Sequence, residues 1–195
     1  RLEPPYVLTM VGYFMLMPAF GKGSWDELLP HLVASLLYVH NIVFHAGSLI
    51  NNNAWSLELE VQFYLLMPLL ACLLWTAIPI RRGIFASGIA FFSAHDLWLP
   101  DTCPVTILQY AQYFLCGVVL ADLWMSRWRL LPKAHAFDTV GLAAVVLFAW
   151  LNVSYWGSLA TDMLNPWLLM TFVAATLRGR VIPGALSYGA IPVIG

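Results

Sequence analysis

Apolar runs long enough to cross a lipid bilayer dominate this chain and leave few folds open to it. A helix crossing the hydrocarbon core needs about 20 mostly apolar residues, and shorter or longer spans are tolerated. Charge-poor apolar runs occupy residues 5–20, 61–80, 83–94, 105–120, 139–156 and 164–177. Composition points the same way. Of the 195 residues, 61% are hydrophobic and 10% charged, where a soluble domain carries roughly 25% charged residues. A water-soluble fold of this size exposes too much surface to hide so many apolar side chains. We therefore expect an all-α fold, a polytopic transmembrane helix bundle of about six spans, forming one domain over residues 1–195.

Formal net charge is −1, so no global basic field attracts nucleic acid, and we expect no nucleic-acid partner. The basic residues are nonetheless clustered at Arg1, at Arg81-Arg82, at Arg127, Arg129 and Lys133, and at Arg178 and Arg180. Basic residues near span ends stay in the cytoplasm. With Arg1 and Arg81-Arg82 both inside, only one net crossing fits between residues 22 and 80, after the outward span at 5–20. The run at 61–80 takes it. Residues 22–30 read as a polar loop. Residues 31–54 are apolar but carry His31, His40, Asn41 and His45 and close on Asn51-Asn52-Asn53. They are expected on the outer side as an interfacial or re-entrant segment. The loops at 95–104 and 157–163 then lie outside, and every basic cluster falls inside.

The chain opens on Arg1 and stops inside an apolar stretch at Ile194-Gly195, so we expect an internal segment of a longer protein, truncated at both ends. Cys72, Cys103 and Cys116 form no disulfide framework and read as small buried hydrophobes. His40 and His45 do not share a helix face cleanly, and no metal site is expected. The sequon Asn152-Val153-Ser154 lies inside an apolar run and is discounted.

The most unusual segment is 51–68, NNNAWSLELEVQFYLLMP. Its Asn run and Ser56 are natural helix N-caps. With Ser56 as cap, Glu58 and Glu60 fall in the first turn or so, where the helix dipole favours anions. Neighbours four apart on a helix share a face, which groups Ser56, Glu60 and Tyr64 as one polar stripe and leaves Glu58 and Gln62 elsewhere. A carboxylate at membrane depth is costly and marks a functional site by default. The alternative is a pair of interfacial acids wetted by water at the helix start, and residue chemistry leaves both open.

The block Trp55-Ser56-Leu57, Glu60, Gln62-Phe63-Tyr64-Leu65 and Pro68 resembles the signature of the acyltransferase family 3 integral membrane proteins, bacterial enzymes that O-acylate cell-surface glycans. His40-Asn41 fits the family's approach to that motif. Arg1 with Pro4-Pro5-Tyr6 is similar to the end of its cytoplasmic arginine cluster. Gln112-Tyr113-Phe114 with Gly117 matches a later span more loosely, and residues 184–195 look like the approach to a Ser-Tyr-rich span. The resemblance implies transfer of an acyl group, acetyl in most members, from cytoplasmic acyl-CoA as co-substrate, with no resident cofactor. The acceptor would be a hydroxyl of a glycan such as a polysaccharide or lipopolysaccharide, and the setting the bacterial inner membrane.

It also implies a catalytic histidine in a first span that these residues do not contain, so the segment alone is expected to be inactive. Glu60 aligns with the motif's acid, and Glu58 falls at a position the motif leaves open. Glu60 would orient a histidine, accept a sugar hydroxyl or pair with a buried arginine. Arg1 would bind CoA phosphates, as arginine does bidentately, or serve as a positive-inside anchor. Trp55 would stack on a sugar or sit in the aromatic belt. Ser56, Tyr64 and Asn41 complete the expected substrate-binding set. The competing reading is a transporter or flippase core for a glycan or lipid-linked sugar, in which the intramembrane polar residues line a pathway.

Overall fold

The computed structural model describes residues 3–98, 106–126 and 134–181. Eight α-helices run through them: α1 Glu3–Leu16, α2 Trp25–Leu36, α3 His40–Phe44, α4 Ala54–Leu73, α5 Ile78–Ser93, α6 Ile107–Met125, α7 His135–Ser154 and α8 Leu159–Arg178. No strand is present among the described residues. The fold is all-helical. Three helices, α4, α6 and α7, are long and apolar enough to cross a membrane, and a shorter apolar helical stretch covers Pro4–Phe20.

Several boundaries differ from the sequence expectation, each for a local reason. The run expected as one span over 61–80 is divided. Its helix starts earlier, at Ala54, and ends at Leu73. The Thr76 hydroxyl turns back to the Leu73 carbonyl at 2.7 Å. Pro79, at the second position of α5, then marks a helix start, where its missing N–H costs nothing. Arg81 and Arg82 therefore lie in the early turns of α5 and do not terminate α4. Residues 25–30, expected as loop, are helical. Ser24 caps α2 in a reciprocal box in which its N–H donates to the Glu27 carboxylate at 2.9 Å, satisfying donors that a helix start leaves open. That bond also holds the Glu27 carboxyl below its ordinary range. Residues 31–54 contain no spanning helix. They hold the end of α2, the short α3, and a connection to α4.

The chain divides into two compact units. One comprises residues 1–77 and 98–110, the other 78–97 and 111–195. In the first, α1 packs on α2, and α3 bridges α2 and α4. Its core is Met10, Phe14, Leu28, Leu32, Ile50 and Ala54. Tyr6 stacks on Tyr38 at 5.2 Å between ring centroids.

In the second unit α7 and α8, joined by a short turn, pack along each other. Asn152 and Asn165 exchange two amide hydrogen bonds across this pair, at 3.0 and 3.2 Å. Asp138 near the start of α7 accepts from the Arg180 and Val181 N–H groups just past α8, at 2.9 and 3.1 Å. Arg178 lies over the Trp124 ring at 5.0 Å. Asp122, expected just past a span, is inside α6 and buried. It pairs with both Arg81 and Arg82, and Arg82 also donates to the Ser126 hydroxyl at 2.9 Å.

Candidate functional site

The buried polar groups of the first unit gather where α4 meets the 38–48 segment. Glu58 and Gln62 are four apart on α4 and so share one face. Glu58 is 1% exposed, and its Oε2 accepts the Asn41 N–H at 3.0 Å. That N–H is among the donors a helix start leaves open, and Val39, the N-cap of α3, supplies no side-chain bond. A carboxylate from another helix fills the role. The Gln62 amide donates to the Tyr38 carbonyl and to Asn41 Oδ1, both at 3.0 Å. One face of α4 thus grips residues 38–41 at three points. Glu58 Oε1 and Asn41 Nδ2 are buried without a hydrogen-bond partner. Nearby, the Tyr6 hydroxyl donates to the Ser35 carbonyl at 2.8 Å, and the Ser35 hydroxyl to that of Ser48 at 3.1 Å.

The segment so fixed carries His40, 1% exposed. His40 Nδ1 lies 3.2 Å from the Ala46 carbonyl, and its Nε2 lies 2.8 Å from His31 Nδ1. A carbonyl only accepts, so Nδ1 of His40 carries the proton. Burial and the neighbouring His31 hold the His40 pKa below its ordinary value, which keeps the ring neutral and its Nε2 a lone-pair acceptor. His31 must then donate from Nδ1. Phe44 packs against both rings, at 4.0 and 4.7 Å.

The expected site residues are distributed differently from the anticipated stripe. Ser56 does not cap α4, because the helix begins two residues earlier. Its hydroxyl donates to the Asn53 carbonyl at 3.2 Å, not to Glu60. Glu60 does bond the Tyr64 hydroxyl, on a face where Tyr64 is 58% exposed. Trp55 is half-buried against Tyr110, 5.3 Å between centroids. Asn41 joins the buried cluster, away from Glu60's face. Arg1 lies outside the described residues.

Sequence reasoning named Glu58 and Gln62 without placing them in the site, and did not pair His31 with His40. The spacing of Glu58 and Gln62 carried the first signal. Nothing in the sequence links His31 to His40, which lie on different helices nine residues apart.

No protein-family model matches the chain, and no solved structure matches it. Among curated proteins it is similar to acyltransferase MdmB of Streptomyces mycarofaciens, 26% identical over 170 residues, which is 80% of this chain. The chain spans 39% of that relative's length. The similarity supports acyl transfer in general and a transferase as the class of protein to which these residues contribute.

Proposed function

We propose that this chain is part of a bacterial inner-membrane, multi-pass O-acyltransferase. It would take an acyl group, acetyl foremost, from acyl-CoA and place it on a hydroxyl of a cell-surface or lipid-linked glycan. The observation that carries the reading is the similarity to an acyltransferase along 80% of the chain. The helices apolar enough to cross a membrane support the setting, and the 51–68 motif supports the family.

In this reading Glu60, steadied by Tyr64 on the exposed face of α4, meets the acceptor or a base from a segment beyond these residues. Trp55 and Ser56, at the start of the same helix, flank the acceptor. Asn41, fixed by Glu58 and Gln62, offers its unpaired Nδ2 as a donor. Arg1 contacts CoA phosphate.

The test is incorporation of label from radiolabelled acetyl-CoA into the glycan fraction of membranes carrying the full-length protein. Wild type should incorporate label, and Glu60→Gln should lose most of it at equal protein in the membrane. Equal incorporation by Glu60→Gln and wild type removes Glu60 from the chemistry. No incorporation by wild type removes the function.

A further inference from the structure

The start of α5, the end of α6, the start of α7 and the end of α8 meet at one end of the second unit. Arg81 and Arg82 on α5, Arg178 on α8 and Arg180 just past it bring four arginines to that end. Two acids lie with them, and both are covered. Asp122 is 1% exposed and pairs with Arg81 and Arg82. Asp138 is taken up by the Arg180 and Val181 N–H groups. The other acids among the described residues of this unit are Asp96, which follows α5, and Asp162, in the first turn of α8. They belong to the far ends of those helices. The charge presented outward at the arginine end is therefore positive.

Asp122 does more than neutralise. Arg81 donates to one of its oxygens, and Arg82 Nε donates to the other at 2.7 Å. Arg82 Nη2 also donates to the Ser126 hydroxyl at 2.9 Å. These bonds occupy one edge of the Arg82 guanidinium. Arginine carries five N–H donors in a rigid fork, so the Nη1 group is left over, on a side chain that is 34% exposed. An arginine that only marks the inner side of a membrane needs no such fixing. Here the head is oriented before a ligand arrives, which lowers the ordering cost of binding. Its place in the early turns of α5 adds a helix dipole that favours an anion.

We propose that this end of the second unit binds the headgroup phosphate of an anionic phospholipid, with Arg82 Nη1 as the fixed donor and Arg81 as the second cation. The inference rests on the inner-membrane setting proposed above and is independent of acyl transfer. A lipid fits as occupant because α6, which ends here, and α7, which starts here, are apolar enough to cross a membrane. Ends of such helices reach headgroup depth. The orientation expected from the basic clusters puts this end on the cytoplasmic leaflet, whose anionic headgroups attract arginines beside a span.

The test uses full-length protein in detergent and phosphatidylglycerol with a photoreactive headgroup. After illumination, peptide mapping should find label on the peptides bearing Arg82 or Ser126. Unlabelled phosphatidylglycerol should compete for that label better than phosphatidylcholine. Arg82→Gln should reduce labelling roughly fivefold, the effect of one arginine beside an anionic headgroup, and Arg82→Lys should restore part of it. Label confined to other peptides of the wild-type protein overturns the proposal without recourse to any variant. Equal competition by the two lipids overturns it too, as does undiminished labelling of a folded Arg82→Gln. Displacement of the label by coenzyme A would assign the arginines to a soluble phosphate ligand and overturn the lipid site. Full-length protein recovered outside the membrane fraction removes the membrane setting, and the lipid site with it. Labelling as expected without acyl transfer by wild type removes the acyl-transfer reading and leaves the lipid site standing.

Discussion

Glu58 and Glu60 stand two residues apart on α4 and meet opposite surroundings. Glu58 is enclosed and holds a backbone N–H of another helix. Glu60 faces outward with Tyr64. Removing Glu58 as Glu58→Ala leaves a buried donor unsatisfied, a cost of about 1–3 kcal/mol, so the protein should lose folded material in detergent. Glu58→Gln keeps an acceptor and should lose much less. Glu60→Gln should leave folding unchanged. Thermal melts followed by size-exclusion profiles check all three, and a melt of Glu60→Gln lower than that of Glu58→Ala would reverse the assignment.

His40 supplies a pH dependence. Its pKa is lowered in the fold from the ordinary 6.5 by burial and by His31. The unfolded chain therefore binds more protons in the window below about 6.5. Stability should be full above that value and fall as pH drops through the window, since a protonated His40 Nε2 would face the His31 donor. A melting temperature equally high at pH 5.5 and pH 7.5 would contradict this. Both acids were visible as unusual in the sequence, but which of them is buried was not. Periodicity grouped residues four apart correctly and gave no information on which stripe turns inward, because α4 is apolar around most of its circumference.

At the scale of elements, the helices most legible in advance were those whose limits coincide with composition changes, such as α7. The division between α4 and α5 was hidden, because residues 74–80 contain no charge and break on turn chemistry at Thr76 and Pro79. The helical start of α2 was readable from Ser24 and Glu27 but was obscured by the charges around it. The junction of α7 with the end of α8 makes a sharp prediction. A Cβ at Gly179 would collide with the Asp138 carboxylate and approach the Ala175 carbonyl to 3.1 Å. Gly179→Ala should therefore cost about 1–3 kcal/mol, the range for overpacking a filled site, although the backbone there suits any residue. A melt within error of wild type would mean that Asp138 can release Arg180 and Val181 freely.

For the molecule as a whole, the expectation that the basic clusters stay in the cytoplasm can be tested at the helix limits found here. If every basic cluster lies inside, the turn at 74–77, which adjoins Arg81 and Arg82, should be cytoplasmic and the turn at 155–158 outside. With native cysteines replaced, Trp75→Cys should be shielded in intact cells from an impermeant maleimide, and Trp156→Cys labelled. Both tryptophans are widely exposed, at 92% and 82%, so access is set by the side of the membrane. Identical labelling would overturn that expectation. The reciprocal amide pair of Asn152 and Asn165 has a bearing on how such a hairpin finds its place. In lipid, apolar faces slide past one another with little to choose between registers, because tails and leucines are alike. A shift of one turn moves an amide about 5.4 Å along its neighbour, far enough to break both amide hydrogen bonds. Hydrogen bonds between membrane helices are worth only about 0.6 kcal/mol on average, so the pair adds little cohesion. It works instead as an index mark, a single point along two smooth rods at which they can stop.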